Sequence, residues 1–474
     1  MRTNQTASGH FSSRAFRMCW ALVLLLALGT ECFADQIWTV PPSSSTRLVV
    51  RTTLGQKGIQ SLCRLLGCST ILGLGDPQGQ LFLVQVPSLL SPVASLPNLS
   101  LLGVVTIESD QWVQTEAAAA GAAPSYLSDK KLVSYFGSTV WHGYLVQPAN
   151  TLIRTAATQS TFNTTGSGVI VADIDTGVDP NHPMLKNSLV NGYDFTRNQS
   201  GGSEMSDVSQ STVAVLDGTY TAQVSQSTVA VLDQSTVAVL DGPQYAAFGH
   251  GTMTAGIIHL VAPQAKIMPL KAFTADGSAY NSDILRAIYY AVAHGADVIN
   301  MSFNYTSYSQ ELANAVNYAT ANGVICVAAA GNSGQKTNVY PGALKGVIDV
   351  ASTGNDDSSS SFSNYGAPPV WLAAPGEGVM TAYPFGTYAA GWGTSFSAPL
   401  VSGTTALLVS AYNNKSGSGG LLSSLLGSLS SSSFEPQAAN ALAHDHAISD
   451  PQMGHGRLDT YLATQAWRSS LGLN

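Results

Sequence analysis

Three side chains at widely separated positions could together perform nucleophilic catalysis: Asp175, His250 and Ser395. An apolar run ends in Asp175-Thr-Gly, and His250 stands between glycines at the start of a run of small residues. Ser395 precedes a long apolar run that predicts a buried helix, with Pro399 in its first turn, where a missing N–H costs little. The N-terminal N–H groups and dipole of this helix can stabilise an oxyanion. A serine hydroxyl needs a general base, and the base needs an orienting carboxylate, so His250 and Asp175 are the candidates for those roles.

Two further polar residues lie next to predicted strands. Asn332 follows an apolar run within Ala-Ala-Gly-Asn-Ser-Gly, and its side-chain amide could donate a hydrogen bond to the oxyanion. Asp173 lies two residues before Asp175, deeper in the strand, and we interpret it as structural.

The elements that must position these residues alternate between strand and helix from Gly168 onward. Helical segments end just before Gly295 and Gly323, since glycine is the usual residue after a helix. Short apolar runs typical of strands buried on both faces cover Val169 to Ile174, Lys266 to Leu270, Val298 to Met301, Val324 to Ala329 and Val347 to Val350. This order predicts an α/β fold with a mainly parallel sheet between two layers of helices. Ligands bind beyond the carboxyl ends of such strands, where Asp175 stands.

Four motifs occur in the order Asp-Thr-Gly, His-Gly-Thr, Ala-Ala-Gly-Asn and Gly-Thr-Ser, and in this order they resemble the subtilisin-like serine proteases. The resemblance covers roughly Tyr144 to Trp467 and implies a three-layer α/β/α fold with about seven strands. It implies that Asp175 orients His250, that His250 is the general base and then acid, and that Ser395 attacks the scissile carbonyl. Asn332 and the Ser395 backbone N–H would hold the oxyanion. The expected function is hydrolysis of peptide bonds in proteins by a serine endopeptidase.

The same resemblance implies two segments that line a substrate cleft, with which a peptide would pair as an added strand. Asn304 and Ala279 stand where glycine is common, so we expect a narrower cleft and a preference for small or medium apolar residues before the cut. The expected substrate-binding residues are Ser302, Phe303, Asn304, Gly277, Ser278, Ala329, Gly331 and Val339.

The N-terminal part of the chain predicts export and processing. In residues 1–34, Arg14 and Arg17 precede an apolar run of about a dozen residues, which is shorter than the roughly 20 that a membrane span needs. We place signal cleavage after Ala34. The chain is then expected to be secreted (extracellular or periplasmic) without a membrane anchor. Residues 35–115 show a small α+β pattern, with strands predicted at Leu48 to Val50, Leu81 to Val86 and Leu102 to Ile107 and helices at Ile59 to Leu66 and Leu89 to Leu96. Residues 116–143 are predicted to be a linker, and residues 144–474 the catalytic domain. By its position, 35–115 would match the family's propeptide, an intramolecular chaperone and inhibitor, with the cut between about Thr115 and Ala157.

An insertion at residues 205–244 contains one octet three times, at Gln210–Asp217, Gln226–Asp233 and Gln234–Asp241. Its alternating polar and apolar residues predict β structure, either a surface ribbon or a flap that contacts substrate. A bridge between Cys63 and Cys68 is left open by their spacing, and Cys326 in an apolar strand is expected to be a buried small side chain.

Composition and ligand chemistry exclude several classes. The formal net charge of −8 and the scarcity of basic residues argue against nucleic acid as a partner. No cofactor is expected. In the family an aspartate after His-Pro can bind calcium, but Met184 stands there and offers no oxygen ligand, so that site is doubtful. We also expect no metal at His444-Asp445-His446. Two other functions remain open: a peptide ligase on the same scaffold, and a non-catalytic secreted binding protein.

Overall fold

The computed structural model describes residues 45–87, 103–114, 121–208, 229–232, 243–366, 369–415 and 434–472. The predicted export signal, the first and third octet copies and the predicted helix at Leu89 to Leu96 lie outside these residues.

The N-terminal described residues form an antiparallel sheet with one helix, in the strand order β2-β3-β1-β4. Ile59 and Cys63 on the helix pack against the sheet, and Cys63 forms a disulfide with Cys68. The elements are β1 (Ser45–Thr52), α1 (Gly55–Leu66), β2 (Ser69–Gly73), β3 (Leu81–Pro87), β4 (Val104–Ser109) and β5 (Trp112–Gln114). Sequence patterning predicted α1 and parts of β1, β3 and β4, but not β2 or β5.

The described part of the predicted linker, residues 116–143, contains a hairpin that packs on the larger body. Tyr135 donates a hydrogen bond to the Leu260 carbonyl at 2.6 Å, and Val140 is fully buried. The hairpin and the helices after it are β6 (Leu132–Tyr135), β7 (Ser138–Trp141), α2 (His142–Val146), α3 (Pro148–Leu152) and α4 (Thr155–Phe162).

The large body is built on a sheet in the order β10-β9-β12-β8-β14-β15-β16-β17. Among its described strands, only β10 pairs antiparallel, with β9. Its eight described strands compare with the seven or so expected. Its strands are β8 (Ile170–Asp175), β9 (Gly192–Asp194), β10 (Gln199–Gly201), β12 (Lys266–Lys271), β14 (Val298–Met301), β15 (Ile325–Ala329), β16 (Val347–Thr353) and β17 (Leu372–Pro375). Outside this sheet, the described residues of the large body also form β11 (Val229–Leu232), β13 (Ser278–Tyr280), β18 (Val379–Tyr383) and β19 (Thr387–Gly391).

Helices cover both faces of this sheet because successive strand residues point to opposite sides. Val171 packs into one core with α5 and α8, whereas Ala172 packs into a second core with α6 and α7. These helices and the two that follow are α5 (His250–Val261), α6 (Asn281–Ala293), α7 (Gln310–Ala321), α8 (Thr394–Lys415), α9 (Phe434–Leu442) and α10 (Thr460–Ser470). Gly295 and Gly323, just beyond α6 and α7, have positive φ angles of 76° and 81°, as predicted for residues that end helices.

The middle octet copy supplies β11, which pairs antiparallel with β19 through Val229 opposite Gly391. β19 ends at Gly391, four residues before Ser395, so the middle octet copy pairs with the strand that leads into α8. Among the described residues, no helix has the length and apolar character needed to cross a bilayer. Cys326 is fully buried in β15.

Candidate active site

Asp175 and His250 form a buried pair at the carboxyl edge of the sheet. Asp175 is the last residue of β8, and His250 is the first residue of α5. The His250 Nδ1 atom lies 2.8 Å from Oδ1 and 2.9 Å from Oδ2 of Asp175, so an Nδ1–H group donates to the carboxylate. Burial by itself lowers the pKa of His250, but the charge and hydrogen bond of Asp175 outweigh it and raise that pKa above its ordinary value. The imidazole is thus oriented with Nε2 directed away from Asp175.

Ser395 lies at the start of α8, and the residue that follows it in the helix packs near the imidazole. Ser395 is the second residue of the helix, and the ring centroid of the next residue, Phe396, is 5.7 Å from that of His250. The Ser395 hydroxyl donates to the Ser302 carbonyl at 3.0 Å. Catalytic hydrogen bonds often form only when substrate binds, so this contact is compatible with rotation of Oγ towards Nε2.

Pro399 has a consequence for the nucleophile that the sequence did not reveal. We expected this proline in the first turn, but α8 begins at Thr394, so Pro399 lies in the second turn. Because proline has no N–H, it cannot donate to the carbonyl four residues earlier, which is that of Ser395. The Ser302 hydroxyl donates to this carbonyl instead, at 3.0 Å, and so fixes Ser395 from the neighbouring strand end.

Asn332 is held beside the N-terminus of the same helix. Its Oδ1 accepts hydrogen bonds from the backbone N–H and the hydroxyl of Thr394, both at 2.9 Å. The Thr394 hydroxyl oxygen in turn accepts from Gly331 N–H at 3.1 Å. These bonds fix the side-chain amide next to Ser395 in an orientation that suits donation to an oxyanion.

Asp173 lies in the core behind the pair. It accepts hydrogen bonds from Asn300 Nδ2 and the Thr254 hydroxyl, both at 2.8 Å. Burial, reinforced by the charge of Asp175, raises the pKa of Asp173 to about 7. Its partners hold α5 and β14 against β8, which agrees with a structural interpretation.

Two buried titratable residues near the pair were not predicted from the sequence. Lys271 ends β12 and is fully buried; its ammonium group donates to the Thr176 carbonyl and to Asp207 Oδ2, each at 2.7 Å. The position of this lysine directly after a predicted buried strand could have identified it as a candidate site residue. Glu204 is also fully buried and contacts residues on both sides of His250. It lies in a polar segment without hydrophobic periodicity, so the sequence did not indicate that it would be buried.

The expected substrate-binding residues near Ser395 lie along the extensions of β14 and β15. Ser302 contacts Ser395 directly, as described, whereas the Phe303 ring is directed into the core against Phe273, 4.9 Å away. Asn304 is buried, and its Oδ1 has no hydrogen-bond partner among the described residues. Ala329 is the last residue of β15, and Gly331 lies beside Thr394. Val339 directly precedes the Tyr340–Pro341 peptide bond.

The other expected cleft edge, around Gly277 and Ser278, is paired with a strand of the N-terminal unit. Ser278 of β13 lies opposite Gln114 of β5 in an antiparallel register. The backbone before β13 contacts one catalytic candidate, because Phe273 N–H donates to the Asp175 carbonyl at 3.1 Å. Further along the chain, Gly121 packs directly against Trp392. A Cβ atom on Gly121 would lie only 2.6 Å from the indole nitrogen of Trp392.

Other titratable groups do not assemble around a metal in the part of the chain described here: no group of three or more His, Cys, Asp or Glu side chains has suitable positions. Within His444-Asp445-His446, His444 Nδ1 contacts the Asn440 carbonyl at 2.9 Å, and His446 contacts Asp357 at 3.4 Å. Met184 is fully buried.

Comparison with known proteins places the chain in a family. A sequence model of the subtilase family matches residues 166–433. The thermophilic serine proteinase of Bacillus sp. (strain AK1) is 34% identical over 297 residues, which cover 62% of this chain and 64% of that protein. Thermitase of Thermoactinomyces vulgaris is 35% identical over 52% of this chain and 76% of its own length, and subtilisin DY of Bacillus licheniformis is 39% identical over 36% and 66%. The chain therefore belongs to the subtilase family of subtilisin-like serine proteases.

Proposed function

We propose that this protein is a secreted serine endopeptidase that hydrolyses peptide bonds through an acyl-enzyme on Ser395. The observation that carries the proposal is the buried Asp175–His250 pair, with Nδ1 and Oδ1 2.8 Å apart, beside the helix N-terminus that holds Ser395. Membership of the subtilase family supports it independently.

The residues divide the chemistry between them. His250 accepts the proton of the Ser395 hydroxyl while Oγ attacks the carbonyl carbon of the scissile bond. Asn332 and the Ser395 backbone N–H stabilise the charge that develops on the carbonyl oxygen. The C–N bond then breaks as His250 returns the proton to the leaving amine, and water hydrolyses the acyl-enzyme by the same steps. Asp175 keeps the imidazole oriented throughout and stabilises its charged form.

The protein is further proposed to be made as an autoprocessed zymogen, with residues 35–115 as propeptide. Support comes from β5, which occupies the β13 edge that a substrate peptide would use. Two acidic side chains also cap helices of the larger body: Asp110 accepts from Ser282 N–H at 2.8 Å, and Glu108 accepts from Gln310 N–H at 2.7 Å. The processing cut is proposed between about Thr115 and Ala157.

Protein and peptide substrates are proposed to carry small or medium apolar residues before the cut. Asn304 lies across from Gly331, because a Cβ atom on Gly331 would lie 3.2 Å from Asn304 Oδ1. The Asn304 side chain therefore fills part of the space between the segments that follow β14 and β15. A panel of peptides that differ only at this position tests the proposal. Faster cleavage after Phe or Lys than after Ala or Leu would contradict it.

The main experiment is paired expression of the wild type and Ser395→Ala, followed by mass analysis and a casein assay. We expect the wild type to lose its N-terminal segment and to cleave casein, while the variant stays full length and inert. If both proteins behave alike, the non-catalytic binding protein becomes the better account. Transfer of the acyl group to an added amine in preference to water would instead favour a peptide ligase.

A further inference from the structure

Glu204 is a buried carboxyl group that joins the two chain segments carrying Asp175 and His250. Its Oε2 accepts hydrogen bonds from Gly249 N–H at 2.8 Å and from the Thr176 hydroxyl at 3.2 Å. Its Oε1 is hydrogen bonded to the Thr252 hydroxyl. One side chain thus contacts the residue that follows Asp175 and residues on both sides of His250.

Thr176 extends this contact into the first turn of α5. Its hydroxyl oxygen, while donating to Glu204, accepts a hydrogen bond from Gly251 N–H at 2.9 Å. Gly249 has a φ of 90°, which lets the chain turn sharply into α5 immediately before His250. The start of α5 has no side-chain cap from its own N-cap residue, so Glu204 and Thr176 satisfy N–H groups there that would otherwise be buried without partners.

The surrounding charges hold Glu204 and its segment in place. Glu204 and Asp207 belong to the same 3₁₀ turn, and Asp207 binds Lys271, whose ammonium group also donates to the Thr176 carbonyl. Burial raises the pKa of Glu204 to about 8, against the opposing hydrogen bonds and the charge of Lys271. At neutral pH the side chain is therefore mostly protonated, and glutamine is its nearest mimic in shape and hydrogen bonding.

We propose that Glu204 is a positioning residue for the catalytic pair, which fixes His250 relative to Asp175 through Gly249, Thr176 and Thr252. The inference rests on the proposed protease function, but the contacts it invokes are independent of turnover. Loss of these contacts is expected to displace the imidazole without removing any group that touches substrate. A displacement of about 1 Å at a catalytic group can lower the rate about 10²-fold.

The first test uses full-length protein in a Ser395→Ala background, which prevents self-digestion. The hydrogen-bonded proton between His250 Nδ1 and Asp175 gives a separate, far-downfield resonance in proton NMR spectra. We expect Glu204→Gln to keep this resonance and Glu204→Leu to shift or broaden it. Asp349→Asn, which changes a buried acid elsewhere in the sheet, is the matched control and should leave the resonance unchanged.

The second test uses the active enzyme and one peptide substrate. We expect Glu204→Leu to lower kcat by about 10- to 100-fold with KM changed less than about twofold, because positioning rather than binding is lost. Glu204→Gln should stay within about threefold of the parent. A folded Glu204→Leu protein with unchanged kcat and unchanged resonance would overturn the proposal, as would equal damage by both substitutions.

Thr176→Val keeps the test decisive if Glu204→Leu does not fold. This substitution preserves side-chain shape but removes the hydroxyl that links Glu204 to Gly251, and it should change the resonance and kcat in the same direction. Unchanged values would overturn the proposal. If no protein in the series cleaves peptide, the proposed function fails, but the resonance still reports whether Glu204 positions the pair.

Discussion

Three of the four catalytic candidates are fixed through their backbone or through an atom that does not react. Ser395 is held by its carbonyl, which Ser302 binds because Pro399 cannot. Asn332 is held by its amide oxygen, and His250 by Nδ1, opposite the nitrogen that would accept the serine proton. The atoms that must meet substrate are thereby oriented in advance, which lowers the reorganisation needed in the transition state.

Asp175→Asn tests this orientation at a single residue. Activity requires neutral His250 and therefore rises with pH through the pKa of His250, which Asp175 raises above its ordinary value. Removal of the charge lowers that pKa, so the acidic limb of kcat/KM should move to lower pH. In addition, kcat should fall about 10⁴-fold, because the imidazole loses its correct tautomer.

The control for this prediction is Asp297→Asn. Asp297 accepts a hydrogen bond from Ile170 N–H at 2.9 Å, at the opposite end of β8 from Asp175. The Asp297→Asn substitution should leave both kcat and the acidic limb of kcat/KM unchanged. An Asp175→Asn profile with the same acidic midpoint as the parent would contradict the account.

At the scale of elements, the docking of the N-terminal unit depends on helix caps as well as on strand pairing. Glu108→Ala combined with Asp110→Ala removes the acidic caps of α7 and α6, each worth about 1 kcal/mol. A total of about 2 kcal/mol raises the undocked population about 30-fold. Hydrogen exchange of the β13 amides in the Ser395→Ala background should accelerate by up to that factor, whereas Arg64→Ala on the exposed face of α1 should have no effect.

The sequence predicted β8, β12, β14, β15 and β16, but it missed the buried parallel strand β17 and several short strands for a physical reason. β17 consists of Leu-Ala-Ala-Pro, which is too short and too rich in small side chains to appear as a strand. Strands such as β14 and β15 are buried on both faces and therefore appear as apolar runs, whereas β5 and β13 have three residues each and contain polar side chains. The four catalytic candidates could be found because their motifs follow predicted strands or begin helices. Glu204 could not, since its contacts arise only when distant segments fold together.

At the scale of the whole molecule, the sheet buries the carboxyl groups of Asp173 and Asp349, whose raised pKa values make the folded state less stable as pH rises. Asp349 in β16 is 1% exposed, and its Oδ1 has no hydrogen-bond partner among the described residues. Burial raises the pKa of Asp349 to about 7, against about 3.9 in an unfolded chain. Between these pH values Asp349 is ionised in the unfolded state but protonated in the folded state. Its contribution therefore lowers the free energy of unfolding as pH rises from about 4 to about 7, and this contribution is constant at higher pH.

Asp349→Asn removes this titration, and its effect on the free energy of unfolding should therefore depend on pH. Relative to the parent, the variant should gain stability as pH rises from about 4, by up to about 4 kcal/mol above pH of about 7, since each pKa unit is worth about 1.4 kcal/mol. Any cost of burying the amide is independent of pH and cancels when two pH values are compared. Urea denaturation at acidic and alkaline pH in the Ser395→Ala background measures the difference. A relative stability that stays constant with pH would mean that Asp349 ionises in the folded protein as readily as in the unfolded chain.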